Sequence, residues 1–545
     1  MAVKSNSEPI PPSVSDLVNI PSSFRFACAP RIYDTTLRDG NQAMGVNLSV
    51  DDKIKIARKL SEFGVHYIEG GWPNAVSQAE VKFFRRMRKE RVRSAIVAFG
   101  MTRKPCLKPE NDRNLKILLS AGADYITLMG KSSIFQVQKI LGTTPDENLR
   151  MVSDSVAYLR EKGSKVIFDA EHFYDGYKEN PSYATRVVAV AEESGANEIV
   201  LCDTRGVSTP IEIFQITKEI KDKVSKPIGI HAHNDRGLAT INSIFALIAG
   251  AEQVQGTING LGERCGNANL VEIIGNLEIS FNINTGLDLS KLTELSEYVY
   301  EIANIPRNDY QPFVGRFAFV HKGGIHGHAV LKDSRAYEGF DPAVVGNARS
   351  ITVSSQAGLA NIVQKAKEFG FKLGKNSTEA EKILRVVKKR EAEGYHYENA
   401  EASLNLLYAR ALGVDLNHFH LVNWRAFVSG DGRKVSAEST VKLKAGNHSL
   451  IAAAEGNGPV NAFDIALKRA LRSQHPELSK VELIGYRVRE INVEKGTAAS
   501  VQVFTEFEAD GKRWSTIGVS PNILKASEEA IVDGYIYYLQ KTREP

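Results

Sequence analysis

Between residue 30 and about residue 280, short β-branched runs alternate with longer amphipathic stretches, and this alternation repeats eight times. The strand-like runs are RIYDTTL, VHYIEGG, SAIVAFG, DYITLMG, KVIFDAE, NEIVLCD, PIGIHAH and QVQGTI. The stretches between them carry apolar residues at helical spacing, as in DDKIKIARKLSEFG. Eight such units in about 250 residues predict a parallel sheet that closes on itself, the (β/α)8 TIM barrel of the α/β class. A doubly wound open sheet is the alternative, but it needs fewer strands and usually begins with a glycine-rich turn.

The rhythm stops after residue 282. Helical stretches with loops follow, and then an order of three strands and one helix occurs twice. HLVNWRAFV, ESTVKLKA and HSLIAAAE precede VNAFDIALKRALRSQ, while KVELIGYRVREINV, AASVQVFTEFEA and RWSTIGVS precede NILKASEEAIVDGYIYYLQ. We therefore predict four segments: a flexible N-terminal arm at 1–29, the barrel at 30–282, helical linker subdomains at 283–416 and a C-terminal module at 417–545. The two βββα repeats of that module favour a regulatory or dimerising α+β unit outside the barrel.

Composition excludes several classes of function. Hydrophobic residues make up 43% and charged residues 24%, and no apolar run approaches the ~18 residues that span a bilayer. The net charge is only +5, and no basic block stands out except RRMRKERVR, so neither a membrane nor a nucleic acid is an expected partner. The four cysteines show no paired spacing that would indicate disulfides or structural zinc, which favours the reducing cytoplasm.

Polar side chains are dense at the carboxyl ends of the predicted strands, where the active sites of such barrels lie. They are Arg38, Asp39, Glu69, Asp169, Glu171, His172, Asp203, Thr204, His231 and His233. In HAHND, strand alternation places His231 and His233 on one face. Alone, such a pair is more often two polar residues at a sheet edge than a metal site.

Asp39 changes that balance, because in a closed barrel strand one is adjacent to strand eight and near strand seven. Its carboxylate can complete a site with the two histidines, and an asparagine oxygen from NGLGERCGN can supply a fourth protein ligand. Two histidines, one aspartate and one asparagine with open positions suit Mn²⁺, Mg²⁺ or Zn²⁺ used as a Lewis acid. The same set suits a closed structural zinc poorly.

Three motifs carry a family resemblance: DTTLRDG at 34–40, HAHND at 231–235 and NGLGERCGN at 259–267. Together they resemble the 2-isopropylmalate synthase and homocitrate synthase family of Claisen-type acyltransferases. The phrases IEGGWP, DAEHFYDGY and HKGGIH are more similar to its citramalate synthase branch than to the leucine-pathway branch. The similarity extends from about residue 30 to the end of the chain, including AAEGNGPVNA in the C-terminal module.

The resemblance implies roles at matching positions. Asp39, His231, His233 and Asn267 fall on the family's metal-ligand positions. Arg38 falls on the residue that holds the 2-oxo acid and stabilises the oxyanion as the keto group is attacked. The fixed fork of donors on a guanidinium suits that task.

Four further positions are implied in the same way. Glu171 and Thr204 match substrate-side positions, although Glu171 could instead pair with a lysine. His326 in HKGGIH and Tyr337 match a linker pair that the family's active site receives across a dimer. We expect His326, assisted by Glu171 or Tyr337, to act as the base or its relay for the acetyl-CoA methyl group.

The implied activity is that of a citramalate synthase, a metal-dependent acyltransferase that condenses acetyl-CoA with pyruvate on a route to isoleucine. A cytoplasmic homodimer inhibited by an amino-acid effector at the C-terminal module is expected. One alternative is condensation with another 2-oxo acid, such as 2-oxoisovalerate, and another is a catalytically silent amino-acid-binding paralogue. The 2-oxo acid stays open because Ser133 and Gln136 stand where the branch usually has Trp and His, and Arg205 stands where Asn is commoner.

Overall fold

The computed structural model describes residues 26, 28–354, 356–374, 377–430, 432, 435–491, 496 and 498–543. The chain divides into two compact units. The first unit contains the chain up to Phe319 together with Phe340–Ala348, and the second contains Val320–Gly339 and the chain from Arg349 onward. The predicted four-segment division stays a prediction, and its N-terminal arm at 1–29 lies almost entirely outside the described residues.

Eight parallel strands in sequential order form a closed barrel in the first unit. They are β1 (Arg31–Asp34), β2 (Tyr67–Gly71), β3 (Ala95–Met101), β4 (Tyr125–Lys131), β5 (Lys165–Glu171), β6 (Glu198–Asp203), β7 (Ile228–Ala232) and β8 (Gln253–Gly256). Strand β1 closes the barrel against β8, with Ile32 in register with Val254. The predicted (β/α)8 barrel is therefore confirmed.

The helices that surround the barrel lie between the strands, as the alternation predicts. They are α1 (Val50–Phe63), α2 (Gln78–Met87), α3 (Arg113–Ala121), α4 (Pro145–Glu161), α5 (Phe173–Glu179), α6 (Pro181–Glu193), α7 (Pro210–Lys221), α8 (Ala239–Ile248) and α9 (Leu270–Gly275). A further helix, α10 (Leu292–Ala303), completes the first unit.

Local sequence explains where these helices begin and end. Ser49 accepts a hydrogen bond from the backbone of Asp52 while the Asp52 side chain accepts one in return, so a capping box starts α1. Thr209 and Glu212 repeat this arrangement at α7. Gly64 ends α1 with a φ of 106°, a left-handed conformation that glycine adopts without steric cost. Each such N-cap stabilises its helix by about 1 kcal/mol.

The barrel interior is a packed core and not a pore. Tyr33, Tyr67, Val97, Ile167, Val200 and Cys202 form a buried cluster inside the strands. Alternate strand residues face outward and join a much larger cluster with the helices, to which Ile32 and Leu60 belong. This packing fixes the strands, and it therefore fixes the side chains at their carboxyl ends.

The second unit begins with a short parallel pair of strands, β9 (Val320–His321) and β10 (Ser350–Ile351). Its helices are α11 (Gly324–Lys332), α12 (Leu359–Glu368), α13 (Thr378–Ala392) and α14 (Glu401–Ala411). The two repeats then follow as β11 (His420–Gly430), β12 (Val435–Ala445), β13 (His448–Gly456), α15 (Pro459–Leu471), β14 (Glu482–Ile491), β15 (Ser500–Ala509), β16 (Lys512–Ser520) and α16 (Ile523–Arg543).

Each repeat forms an antiparallel three-stranded sheet with its helix, so the predicted pair of βββα units is confirmed. One hydrophobic core contains residues of both repeats, among them Leu443 and Leu467 of the first and Phe507 and Tyr535 of the second. The two repeats of the C-terminal module therefore share one hydrophobic core.

None of the helices in the described part of the chain is long and apolar enough to cross a membrane. All four cysteines are among the described residues, and each is a free thiol.

Candidate metal and active site

Three of the predicted ligands meet at the carboxyl end of the barrel. One ligand atom from each of Asp39, His231 and His233 lies within 4.8 Å of the others, and all three residues are buried. Nε2 of His231 is 3.3 Å from Oδ2 of Asp39 and 3.3 Å from Nε2 of His233. An imidazole pair and a carboxylate at this spacing form a possible divalent-metal site.

Asn267 lies next to His233 through its backbone. Its backbone forms a bridge with that of His233, and its side-chain Nδ2 donates to the carbonyl of Leu261 at 3.2 Å. Its Oδ1 is buried and has no hydrogen-bond partner among the described residues. A buried carbonyl oxygen without a partner costs free energy, so a cation or a hydrogen-bond donor bound at this atom would stabilise the site.

Gly262 makes room for that amide. A Cβ at position 262 would lie 2.1 Å from Nδ2 of Asn267, well inside van der Waals contact. A side chain at position 262 would therefore displace the Asn267 amide from its present position.

A second layer of hydrogen bonds orients His231. Its Nδ1 lies 2.9 Å from Oε1 of Gln255, the residue in register with it on β8. Nε2 of Gln255 donates in turn to Asp169 at 3.3 Å. Such partners fix the ring orientation and the nitrogen that faces a metal.

Arg38 lies next to the ligand group and is held from three directions. Its Nε forms an ion pair with Glu69, its Nη1 lies 3.2 Å from Oδ2 of Asp39, and its guanidinium carbon lies 3.9 Å from the centre of the Phe99 ring. Glu69 is fully buried and also accepts hydrogen bonds from Thr35 and from the hydroxyl of Tyr33.

The pKa shifts agree with a charged and preorganised site. Burial alone would raise the pKa of Asp39, but Arg38 and His231 outweigh it and hold that pKa well below its usual range. Burial, and then the charge of His231, lowers the pKa of His233 to about 3, so its imidazole is neutral as metal ligation requires. Burial raises the pKa of Asp169 to about 7.

Glu171 and Thr204 lie on the wall of the cavity at the barrel mouth. Glu171 forms an ion pair with Lys131, the last residue of β4. The structure therefore contains the lysine pair that was the alternative for Glu171. Of the two residues, Glu171 lines the cavity and Lys131 does not. Thr204 accepts a hydrogen bond from the backbone of His172 at 2.8 Å.

The cavity has a volume of about 230 Å³ and combines the polar group with an apolar wall. Trp72, Phe99 and Met129 belong to that wall, and the rings of Trp72 and Phe99 meet edge to face at 5.6 Å. The indole N–H of Trp72 is buried without a partner among the described residues.

His326 and Tyr337 lie in the second unit, where they contact each other. Their ring centres are 4.3 Å apart, and both side chains are exposed. The predicted linker pair is thus brought together, and its predicted role in the chemistry stays a prediction.

The three positions that depart from the branch pattern do not line the cavity at the barrel mouth. Ser133 is buried and donates to Glu179 at 2.8 Å, and Arg205 is exposed with its nearest carboxylate, Asp175, at 3.8 Å. Gln136 lies in the turn that follows Ser133. Their predicted effect on the acceptor stays a prediction.

Comparison with known proteins gives three matching families. HMGL-like covers residues 29–299, the homocitrate synthase post-HMGL domain covers 313–394, and the LeuA allosteric (dimerisation) domain covers 398–539. An (R)-citramalate synthase of Aquifex aeolicus is 46% identical over 520 residues, which is 94% of this chain and 98% of the relative. An (R)-citramalate synthase of Geobacter sulfurreducens is 44% identical with the same coverage of both chains, and a 2-isopropylmalate synthase of Methanocaldococcus jannaschii is 32% identical over 94% of this chain and 95% of the relative.

The chain belongs to the (R)-citramalate synthase family. This confirms the resemblance drawn from DTTLRDG, HAHND and NGLGERCGN, and it confirms the acyltransferase class. The duplicated module is the LeuA allosteric (dimerisation) domain, as its βββα repeats indicated.

Sequence reasoning left several residues of this site without a role. Glu69 and Asp169 were placed at strand ends but given no function, and Gln255, Lys131 and Trp72 were not singled out. Gln255 is a polar residue near the end of β8, and Lys131 is a cation at the end of the otherwise mostly apolar strand β4. Polar residues at strand ends indicate that a side chain can reach the barrel mouth. They do not indicate which side chain it contacts there, because that depends on the register between strands.

Proposed function

We propose that the chain is an (R)-citramalate synthase, which condenses acetyl-CoA with pyruvate and hydrolyses the resulting thioester to citramalate and CoA on a route to isoleucine. The grouping of Asp39, His231 and His233 beside Arg38 carries this proposal. Similarity to curated (R)-citramalate synthases over 94% of the chain supports the choice of substrates. The free cysteines agree with a cytoplasmic enzyme.

Asp39, His231, His233 and Asn267 are the proposed ligands of a divalent metal ion, which is Mn²⁺, Mg²⁺ or Zn²⁺. The set fits because three ligand atoms already lie within 4.8 Å of one another and Asn267 adds a buried oxygen without a partner. A bound divalent ion supplies Lewis acidity to the keto group of the 2-oxo acid. Gln255 keeps His231 turned so that its Nε2 faces Asp39.

In the proposed reaction a base takes a proton from the methyl group of acetyl-CoA. The freed electron pair forms the bond to C2 of pyruvate, and the electrons of the keto double bond move to its oxygen. Arg38 is suited to stabilise that oxyanion, because Glu69, Asp39 and the Phe99 ring hold its guanidinium in place before the charge develops. The protonated base returns its proton to the oxyanion. Water then adds to the thioester carbonyl, the carbon–sulfur bond breaks, and CoA leaves with one proton of that water while the acid keeps its oxygen. Glu171 and Thr204 are proposed to contact the substrates.

His326 is proposed as the base or its relay, with Tyr337 or Glu171 assisting. Its ring contacts that of Tyr337, and both side chains are exposed and therefore accessible to a second subunit. A homodimer in which each linker serves the partner's barrel agrees with this exposure and with the match to the LeuA dimerisation domain.

Pyruvate is the proposed acceptor because relatives that are 46% and 44% identical to this chain are (R)-citramalate synthases. Trp72, Phe99 and Met129 give the cavity apolar side chains that the methyl group of pyruvate can contact. Condensation with 2-oxoisovalerate is the second candidate, favoured by the departures at Ser133 and Gln136. A silent regulatory paralogue is disfavoured because Arg38 and every proposed ligand are present.

The C-terminal module is proposed to bind the amino-acid effector and to join two subunits. Its sheets expose large apolar side chains, among them Phe427, Val428 and Val488, and exposed apolar patches of this kind mark interfaces. A cavity lies between the first turn of α15 and strand β14, with Pro459 and Leu483 on its walls. It is the proposed location of the effector.

The deciding experiment measures CoA release from acetyl-CoA with pyruvate, 2-oxobutyrate and 2-oxoisovalerate, with and without Mn²⁺. We expect the highest kcat/KM with pyruvate and dependence on the metal. A higher kcat/KM with 2-oxoisovalerate would show that pyruvate is not the preferred acceptor. No turnover with any of the three acids would refute the proposed enzymatic activity. Light scattering on a sizing column tests the dimer, which Val488→Asp is expected to weaken.

A further inference from the structure

A second cavity, partly open to solvent, lies in the second unit, where the linker helices α13 and α14 pack on β16 and α16. Its volume is about 230 Å³. That volume is enough for a small organic molecule. It shares no residue with the cavity at the barrel mouth or with the cavity beside α15.

The carboxylates on its wall already have partners. Glu529 accepts a hydrogen bond from the hydroxyl of Tyr395 at 2.7 Å and 2.8 Å to its two oxygens. Asp533 pairs with Nη2 of Arg410 at 2.6 Å and accepts from Ser403 at 3.4 Å. The acidic groups of this cavity are therefore satisfied without a ligand.

The donors on the same wall are less fully paired. Tyr397 is only 4% exposed, and its hydroxyl makes no hydrogen bond within the described part of the chain. The ammonium of Lys382 has no ion pair among those residues. Arg390 lies over the Tyr395 ring, and its closest carboxylate oxygens, on Glu393 and Glu529, are 3.9 Å away. Donors in excess of acceptors select an anion.

Four apolar side chains line the same cavity. They are Val386, Leu407, Ala411 and Ile517, and Ile517 is only 1% exposed. A ligand in this cavity must therefore combine an anionic end with a short hydrocarbon chain. Phosphate or sulfate has no hydrocarbon to place against these side chains.

We propose that this cavity binds a small aliphatic carboxylate, with the carboxylate at Tyr397, Lys382 and Arg390 and the hydrocarbon chain against Val386 and Leu407. An aliphatic amino acid and its 2-oxo acid share this chemistry, and valine and 2-oxoisovalerate each have eight non-hydrogen atoms. The site does not depend on the proposed acyl transfer, because none of its residues belongs to the barrel.

Binding here has a mechanical consequence. The ligand touches α13 and α14 on one side and β16 on the other, so it ties the linker helices to the second repeat of the C-terminal module. A ligand stabilises the arrangement of helices and strands to which it binds. We therefore expect the linker helices to separate from the second repeat less often when the ligand is bound.

Hydrogen exchange on the full chain, measured with valine and separately with 2-oxoisovalerate and without acetyl-CoA, tests the proposal. We expect slower amide exchange in residues 382–411 and 523–533 with at least one of the two ligands. If only valine protects, the ammonium group is required, and if both protect, the carboxylate and chain suffice. No protection by either ligand at 10 mM, or protection confined to the cavity beside α15, would overturn the site.

Substitutions locate the ligand. Tyr397→Phe keeps the shape and removes one hydrogen bond to a charged group, so the Kd should rise about tenfold. Lys382→Gln should raise it about threefold, because its ammonium is exposed to solvent. Ala411→Met should fill the cavity and abolish protection. Lys389→Gln, an exposed position on the same helix, is the matched control and should leave the Kd unchanged. Equal Kd values for Tyr397→Phe and the unmodified chain would contradict the proposal.

Discussion

The pair formed by Glu69 and Arg38 offers the sharpest test of how the barrel prepares its active site. Glu69→Gln keeps the side-chain shape and removes one negative charge at a residue with no exposed surface. Arg38 then keeps Asp39 at 3.2 Å and the Phe99 ring as its remaining contacts. Two unit charges about 4 Å apart attract by about 4 kcal/mol at an effective dielectric constant of about 20.

Part of that attraction offsets the cost of burying the carboxylate, and the amide oxygen of glutamine still accepts the hydrogen bond from Thr35. We therefore expect Glu69→Gln to lower the free energy of unfolding by about 3 kcal/mol. A guanidinium that is less firmly held stabilises the oxyanion less, and we expect kcat to fall about 100-fold.

Glu252→Gln is the matched control. Glu252 pairs with Lys221 at 2.5 Å, but both side chains are more than a quarter exposed, so the loss should stay below about 1 kcal/mol and kcat should not change. Urea unfolding followed by circular dichroism gives the stability, and CoA release gives kcat. If Glu69→Gln turned over pyruvate at the unmodified rate, the proposed role of Arg38 or its support by Glu69 would be wrong.

Three further outcomes are expected. Gln255→Ala removes the hydrogen bond to His231, so the affinity for Mn²⁺ should fall about 10- to 100-fold. The free Mn²⁺ signal in electron paramagnetic resonance measures this affinity, and an unchanged value would exclude Gln255 as the residue that orients His231. Burial raises the pKa of Asp34 to about 7, so its contribution to stability should fall as pH rises from about 4 to about 7. Asp34→Asn should therefore make the thermal midpoint decline less steeply over this range, although Asp169 still contributes, and a slope equal to that of the unmodified chain would refute the assignment. Truncation after residue 415 should abolish inhibition by the amino-acid effector, and inhibition that survives would place the effector outside the module.

The barrel could be predicted because its signal is local. Each strand and helix carries its own periodicity, and a parallel sheet brings all strand ends to one mouth, so Asp39, His231 and His233 could be placed together without a structure. The strand lengths were less predictable. RIYDTTL was read as one strand, but β1 ends at Asp34 and a turn follows, in which the backbone N–H of Asp39 donates to the carbonyl of Thr35 at 2.9 Å.

Partners across the barrel could not be predicted. The contacts of Glu69 with Arg38 and of Gln255 with His231 depend on side chains from different strands and on the register between them. The cavity that Tyr397 lines depends on how two helices pack against a sheet more than 100 residues later in the chain. Periodicity carries no information about such packing, because it records only which face of an element is buried.

The turn from Asn259 to Asn267 separates two properties that are easily confused. Gly262 contributes no atom to the proposed metal site, yet a single methyl group at this position would occupy the place of the Asn267 amide. In a scan of all substitutions, position 262 would therefore tolerate as little change as a ligand. Such a scan would therefore suggest one metal ligand more than the site contains. Only the geometry of the turn shows that Asn267 is the proposed ligand and that Gly262 leaves the space for its side chain.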